Sequence, residues 1–224
     1  MTATAGRNTA TPGKATAGNP DRADEVVATI RKNSGNATAA QADVAEETDV
    51  AALFDTVERE YGGIDVVVHT AGIVLLAPLA ELELDDLDRM HRTNIRGTFV
   101  VNQHAAHRVR GGGAIINFST SVGKLALPTY TAYAASKGAV DALTPILVKE
   151  LRGRDITVNA LAPGPTATPL FLDGKDQETV DRMARQAPLE RLGVPEDIAE
   201  AVAFLAGPGR WVNGQTFDVN GGIA

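Results

Sequence analysis

Residues 64–69 read Ile-Asp-Val-Val-Val-His, a short apolar run set between Gly62-Gly63 and Ala71-Gly72. A run this short and this continuously apolar is typical of a strand buried on both faces. Upstream, Val50, Leu53, Phe54 and Val57 recur at helical spacing and predict a helix over about 47–61, broken by Gly62-Gly63. A weak strand is expected over about 37–41. Before it, Asn19-Pro20 offers an N-cap and a first helical position. Ala23, Val26, Val27 and Ile30 then share a face, and Gly35 is a stop signal. Early Asp21, Asp24 and Glu25 and late Arg31 and Lys32 suit the helix dipole.

The same alternation continues downstream. A long helical pattern runs over about 85–110 and ends at Gly111-Gly112-Gly113. A strand follows at 114–118, a helix at about 130–152 and a strand at 156–161. Residues 164–185 are polar and rich in Gly, Pro, Thr and Asp, which reads as a mobile segment. A helix near 196–205 and a strand near 216–219 close the chain. Strands alternating with helices at this spacing predict one α/β domain, a doubly wound parallel sheet with helices on both faces. Ligands of such sheets bind at the carboxyl ends of the strands, so the loops at 69–74, 119–129 and 162–172 should line one site.

Composition narrows the function. Lys and Arg total 21 against 28 Asp and Glu, a net charge of −7, which disfavours nucleic acid and anionic membranes as partners. Cysteine is absent, excluding disulfides, thiolate metal sites and a cysteine nucleophile. His91, His104 and His107 read as surface helix residues without metal-ligand spacing, so no metal is expected. No run of about 18 apolar residues spans a membrane, and the first residues hold no apolar signal core. The chain reads as cytoplasmic. Residues 1–18 stand apart: five Thr, five Ala and three Gly, with no Val, Ile, Leu or aromatic before Val26. Such a stretch is expected to form neither a buried strand nor an amphipathic helix, and reads as a flexible arm before a domain over 19–224.

Tyr133 and Lys137 lie four apart on a predicted helix and share a face. A free tyrosine, with a pKa near 10, is a poor acid at neutral pH; a neighbouring ammonium would lower it and suit it to protonating a carbonyl oxygen. Ser119-Thr120-Ser121 follows a predicted strand, where a hydroxyl would bond the same oxygen. Asn94 sits mid-helix, where asparagine has poor propensity, and would hold a water or a main-chain carbonyl.

Six segments in order then resemble one family. They are His69-Thr70-Ala71-Gly72, Thr93-Asn94-Ile95-Arg96-Gly97, Ile115–Gly123 (IINFSTSVG), Tyr133-Ala-Ala-Ser-Lys137, Ile156–Gly164 (ITVNALAPG), and Gly214-Gln215 through Asn220-Gly221-Gly222. Together they resemble the short-chain dehydrogenase/reductase family over about residues 20–224. The resemblance implies a Rossmann-type fold and hydride transfer between NAD(P)(H) and a carbonyl or secondary alcohol, with NADP(H) favoured over NAD(H). It implies Tyr133 as acid/base, Lys137 as the group that lowers its pKa and binds the nicotinamide ribose, and Asn94 as support for a relay water. The family's serine position falls on Thr120, and Ser121 is one residue away, so both are carried as candidates. Asp43 and Val44 match the adenine contacts. Thr70, Ala71 and Gly72 match the turn that passes the cofactor, and Pro163, Gly164, Thr166 and Thr168 the segment that holds the carboxamide. Leu125, Leu127, Leu170, Phe171 and Leu172 flank the expected site. His69 replaces the family's Asn and, ending an apolar strand, reads as structural. A homodimer or homotetramer through the helices at about 85–110 and 130–152 is also implied.

The family's T-G-x-x-x-G-x-G turn, which brings backbone and a helix N-terminus to the pyrophosphate, has no match. It would lie about 45–50 residues before Asp43, at or before Met1. Gly6, Gly13 and Gly18 have other spacing. The first strand and glycine-rich loop are therefore expected to be missing, a deficit of about 20–30 residues, leaving sheet edges unpaired. Three accounts follow: a shortened reading frame, a catalytically silent relative that still oligomerises or binds partners, or an arm with a role of its own.

Overall fold

The computed structural model of the chain describes residues 2–4, 13–15, 20–172 and 174–224, with side chains from residue 23 onward except that of Leu170. The strands are β1 (Thr2–Thr4), β2 (Gly13–Ala15), β3 (Ala37–Ala39), β4 (Ile64–His69), β5 (Val109–Phe118), β6 (Thr157–Pro163) and β7 (Thr216–Val219). They form one sheet in the order β3-β2-β1-β4-β5-β6-β7. Neighbours run parallel except at β1, which is antiparallel to both β2 and β4. The order reverses direction between β1 and β4, the switch point at which such sheets open a crevice at their carboxyl edge.

β1 and β2 correct the expectation that residues 1–18 supply no strand and leave β4 with a bare edge. Thr2–Thr4 pairs with Val66–Val68 on one side and Gly13–Ala15 on the other. Ladder hydrogen bonds come from the backbone, so three residues without large apolar side chains suffice when both edges are paired. The rest of the expected arm lies outside the described residues.

The helices are α1 (Pro20–Lys32), α2 (Glu47–Tyr61), α3 (Leu84–Met90), α4 (Gly97–Arg108), α5 (Val122–Leu125), α6 (Thr131–Glu150), α7 (Pro169–Leu172), α8 (Gln177–Gln186) and α9 (Pro195–Ala206). In register, Val67, Ile115 and Val158 sit side by side on β4, β5 and β6. They pack against Val50, Leu53, Phe54 and Val57 of α2, Val101 of α4 and Leu147 of α6. On the opposite face Val68, Ile116 and Leu161 meet Leu205 of α9. The sheet is thus covered on both faces, as the apolar run at 64–69 required.

Three local departures have physical reasons. Gly111-Gly112-Gly113 does not separate a helix from a strand but lies inside β5. A Cβ on Gly113 would collide with the Asp65 carbonyl, and the pairing shifts register between Ile64 and Val66. The helix expected over 85–110 is interrupted by a π-helical turn at His91–Arg96 between α3 and α4; such turns concentrate at functional sites. The segment expected to be mobile folds in part as α7 and α8. Asp176 caps α8 by accepting a hydrogen bond from Thr179 N at 2.8 Å.

Candidate active site

The loops leaving β4, β5 and β6 enclose a cleft of about 580 Å³ at the carboxyl edge of the sheet. Ten of the residues singled out in the sequence line it: Thr70, Gly72, Thr120, Ser121, Tyr133, Lys137, Pro163, Gly164, Thr166 and Thr168. Leu125, Leu127 and Phe171 line it as well, whereas Leu172 is exposed and outside it. Asp43, Val44, Ala71 and Asn94 do not line the cleft. Among the described residues, none before Thr70 does.

α6 places Tyr133 and Lys137 one turn apart on the cleft side. The Thr120 hydroxyl stands close enough to the Tyr133 phenol to favour its ionised form. Burial nevertheless pushes the phenol above its ordinary value, with Thr120 pulling the other way. Burial, Thr120 and Tyr130 are the groups that move the phenol in this structure, and Lys137 is not among them. The Lys137 Nζ is turned to the carbonyl of Phe118, to which it donates at 2.8 Å. Burial brings the ammonium itself down to about 8, with Asp141 opposing. An ammonium carries three N–H donors, and that bond uses one.

The two hydroxyl candidates are separated by the turn after β5. Ser121 is buried, donates to the Ala162 carbonyl at 3.1 Å and accepts from Asn220 Nδ2 at 3.2 Å. Its hydroxyl ties β5 to β6 and the C-terminal segment, while Thr120 faces the phenol. Ser119 Oγ is buried at the cleft without a partner.

Asn94 is fully buried in the π-helical turn. Its Nδ2 donates to the Ile73 carbonyl at 2.9 Å and to Ser136 Oγ at 3.0 Å, and its Oδ1 accepts from Ile73 N at 2.9 Å. Ser136 Oγ in turn donates to the Tyr133 carbonyl at 2.8 Å. One side chain thereby joins the loop after β4 to the helix that carries Tyr133 and Lys137. Gly72 sits in the angle between them. A Cβ there would lie 3.3 Å from both Asn94 Oδ1 and Lys137 Nζ, so the close approach depends on glycine.

His69 is buried. Its Nε2 lies 3.1 Å from Thr98 Oγ1, which donates to the Asn94 carbonyl at 2.6 Å. Thr98 therefore accepts from Nε2–H, leaving Nδ1 as a bare, unpartnered acceptor. Burial first, then Lys137, takes the ring down to about 3, so it stays neutral. Beside it, Asn102 and Asn117 exchange amide hydrogen bonds of 2.9 and 3.0 Å.

Asp43 is exposed beyond β3. Its carboxylate accepts from Ala45 N at 2.9 Å and from Arg92 Nη1 at 2.8 Å, contacts that hold it below the usual carboxylate range. Val44 is buried against Gly97, where a Cβ would lie 2.7 Å from Val44 Cγ2. Arg92 and Arg96 clasp this loop from the π-helical turn, through Asp43, Glu46, Glu47 and the Ala45 carbonyl.

A family model described as enoyl-(acyl carrier protein) reductase matches residues 14–224. A short-chain type dehydrogenase/reductase of Picea abies is 44% identical over 215 residues, covering 91% of this chain and 79% of its own length. The chain belongs to the short-chain dehydrogenase/reductase family. An NADPH-dependent aldehyde reductase-like protein, chloroplastic, of Arabidopsis thaliana is 41% identical over 188 residues, 81% of this chain and 70% of its own length. The crystal structure of a short-chain dehydrogenase from Burkholderia cenocepacia J2315 in complex with NADP superposes with a TM-score of 0.87. It is 34% identical, with 94% of this chain and 86% of that chain covered. The Rossmann-type fold and NAD(P)-dependent oxidoreductase class expected from the motifs are those of this short-chain dehydrogenase/reductase. The family match begins at residue 14, so similarity reaches into the stretch read as an arm.

Sequence reading missed Tyr130, Met183 and Lys175, all of which line the cleft. Tyr130 stands edge-on to Tyr133, ring centroids 6.3 Å apart. Its spacing, one turn ahead of Tyr133, was the available signal. Met183 and Lys175 come from the segment read as mobile and carried no periodic signal.

Proposed function

We propose that this chain is an NADP(H)-dependent reductase of small carbonyl compounds, with Tyr133 as the proton donor. One observation carries the reading: a half-buried phenol, held protonated by desolvation in a cleft beside Thr120, stands one turn from a buried ammonium with unspent donors. The preference for NADP(H) is supported by the aldehyde reductase-like relative and the NADP complex.

When bound, NADPH supplies the hydride for the carbonyl carbon. The residues present suit the nicotinamide half. Lys137 offers two N–H groups to ribose hydroxyls, Ser119 Oγ lacks a partner, and Gly72 leaves room for close approach. Thr70, Ala71, Pro163, Gly164, Thr166 and Thr168 complete that end, and Asp43 and Val44 would hold the adenine. Tyr133 gives its proton to the carbonyl oxygen, and Thr120 holds phenol and oxygen in line. Asn94 fixes the Ile73 loop against α6 so that these groups keep their spacing.

A homodimer or homotetramer through α3, α4 and α6 is supported by exposed Leu84, Phe99 and Ile146. No helix among the described residues is long and apolar enough to cross a membrane.

The test is titration of the purified chain with NADPH and NADH, followed by fluorescence. The reading expects saturable binding, tighter for NADPH. No saturation by either cofactor at high micromolar concentration refutes it, and favours an oligomerising family member without cofactor binding.

A further inference from the structure

The chain carries a net charge of −7, yet among the described residues two lysines and no carboxylate line the cleft. Lys137 is accounted for on α6. Lys175 is the second, and it lies on the segment joining α7 to α8. Its Nζ donates to the Phe171 carbonyl at 2.6 Å and stands 4.7 Å from the centroid of the Phe171 ring. Among the described residues no carboxylate pairs with it. Neighbouring Asp176 is spent on Thr179 N, and Asp197, next to the cleft residue Ile198, is spent on Arg191 and Val194 N. A lysine held by a carbonyl and a ring face has two of its N–H donors left. Around it the cleft is apolar, with Leu125, Leu127 and Phe171. An acidic molecule that concentrates positive charge in one low-dielectric cleft attracts anions there.

We infer that Lys175 reads a negatively charged group on the substrate, so that the preferred substrates are carbonyl compounds with an apolar body ending in a carboxylate. This rests on the reductase reading above. The carboxylate docks on Lys175, the body lies along Phe171 and the leucines, and the carbonyl faces Tyr133. A charge-assisted hydrogen bond of this kind corresponds to about a tenfold or larger preference.

The experiment compares benzaldehyde with 4-carboxybenzaldehyde, and butanal with succinic semialdehyde, using NADPH and the wild-type chain, Lys175→Met and Lys175→Glu. The kcat/KM ratio of charged to neutral substrate should be about tenfold or more in the wild type for at least one pair. It should fall to near one in Lys175→Met and below one in Lys175→Glu. A wild-type ratio near one for both pairs, or a ratio unchanged in Lys175→Met, overturns the inference. So does a loss of NADPH affinity as large as the change in ratio, which would turn the lysine toward the cofactor's phosphates. A lowered Tm with an unchanged ratio also overturns it and leaves Lys175 as a cap on α7. If the wild type reduces none of these aldehydes, the reductase reading fails. Calorimetric binding of 4-(hydroxymethyl)benzoate against benzyl alcohol then still decides Lys175, by the same tenfold criterion.

Discussion

Thr120 and Ser121 are adjacent hydroxyls, and substituting each should separate catalysis from stability. In Thr120→Ala the Tyr133 phenol loses the hydroxyl beside it, which favours its ionised form. A hydrogen bond to a group that becomes charged in the reaction contributes about 1.5–3 kcal/mol. That predicts a fall in kcat of about 10- to 150-fold. The side chain is only half-buried and its other contact is a 3.3 Å bond from Val122 N, so stability should change by less than about 1 kcal/mol. Thr120→Ser keeps the hydroxyl and should stay within a few-fold of the wild type. Ser121→Ala strips the Ala162 carbonyl and the Asn220 amide of a buried partner, at about 1–3 kcal/mol. For a domain of this size that lowers Tm by about 3–10 °C, with kcat reduced only a few-fold. Steady-state reduction of an aldehyde and a thermal melt on the same three variants check this. A Ser121→Ala enzyme that loses a hundredfold in kcat at unchanged Tm, beside a nearly normal Thr120→Ala enzyme, would refute the assignment.

Lys137 ties activity and stability to alkaline pH. Its ammonium is brought down to about 8 by burial, against an ordinary value near 10.4 in an unfolded chain. Between those values the unfolded chain holds the extra proton, so this group adds stability as pH rises from about 8 toward 10.4, by at most about 3 kcal/mol. Urea unfolding of the wild type and Lys137→Met at pH 7.5 and 9.5 should show a gain in the former that is absent from the latter. Reductase activity should fall over the same window as the ammonium is lost. Asn94→Ala removes three hydrogen bonds joining the Ile73 loop to α6 and should cost about 3 kcal/mol at about 1 kcal/mol each. A urea midpoint implying less than about 1 kcal/mol would mean the loop is held by other contacts.

The parallel sheet was legible because burial on both faces writes itself as continuous apolar runs, at 64–69 and 114–118, and because helices on either side repeat at 3.6-residue spacing. β1 and β2 were not, since strands made of Thr, Ala, Gly and Lys rest on backbone pairing that leaves no mark on side-chain pattern. The π-helical turn was equally hidden, although the unfavourable Asn94 marked its place. α8 fell in the segment read as mobile because its polar residues outnumber Val180 and Met183; Asp176 and Thr179 were the missed capping signal. Family motifs placed Tyr133, Lys137 and Thr120 in one cleft but gave no sign of the burial that pushes the tyrosine up. Its environment depends on burial and on Lys137 facing Phe118, and neither follows from a four-residue spacing. The choice between Thr120 and Ser121 turns on which way a tight turn points adjacent side chains, which composition does not encode.

The central claim is that Tyr133 delivers the proton while NADPH is consumed. Its most direct test is a single-turnover comparison of the wild type and Tyr133→Phe, with NADPH oxidation and alcohol formation followed together. The wild type should oxidise NADPH in step with alcohol. Tyr133→Phe should bind NADPH with unchanged affinity yet react at least about a hundredfold more slowly. Equal rates in the two proteins, or no NADPH oxidation by the wild type above the uncatalysed background, would contradict the account.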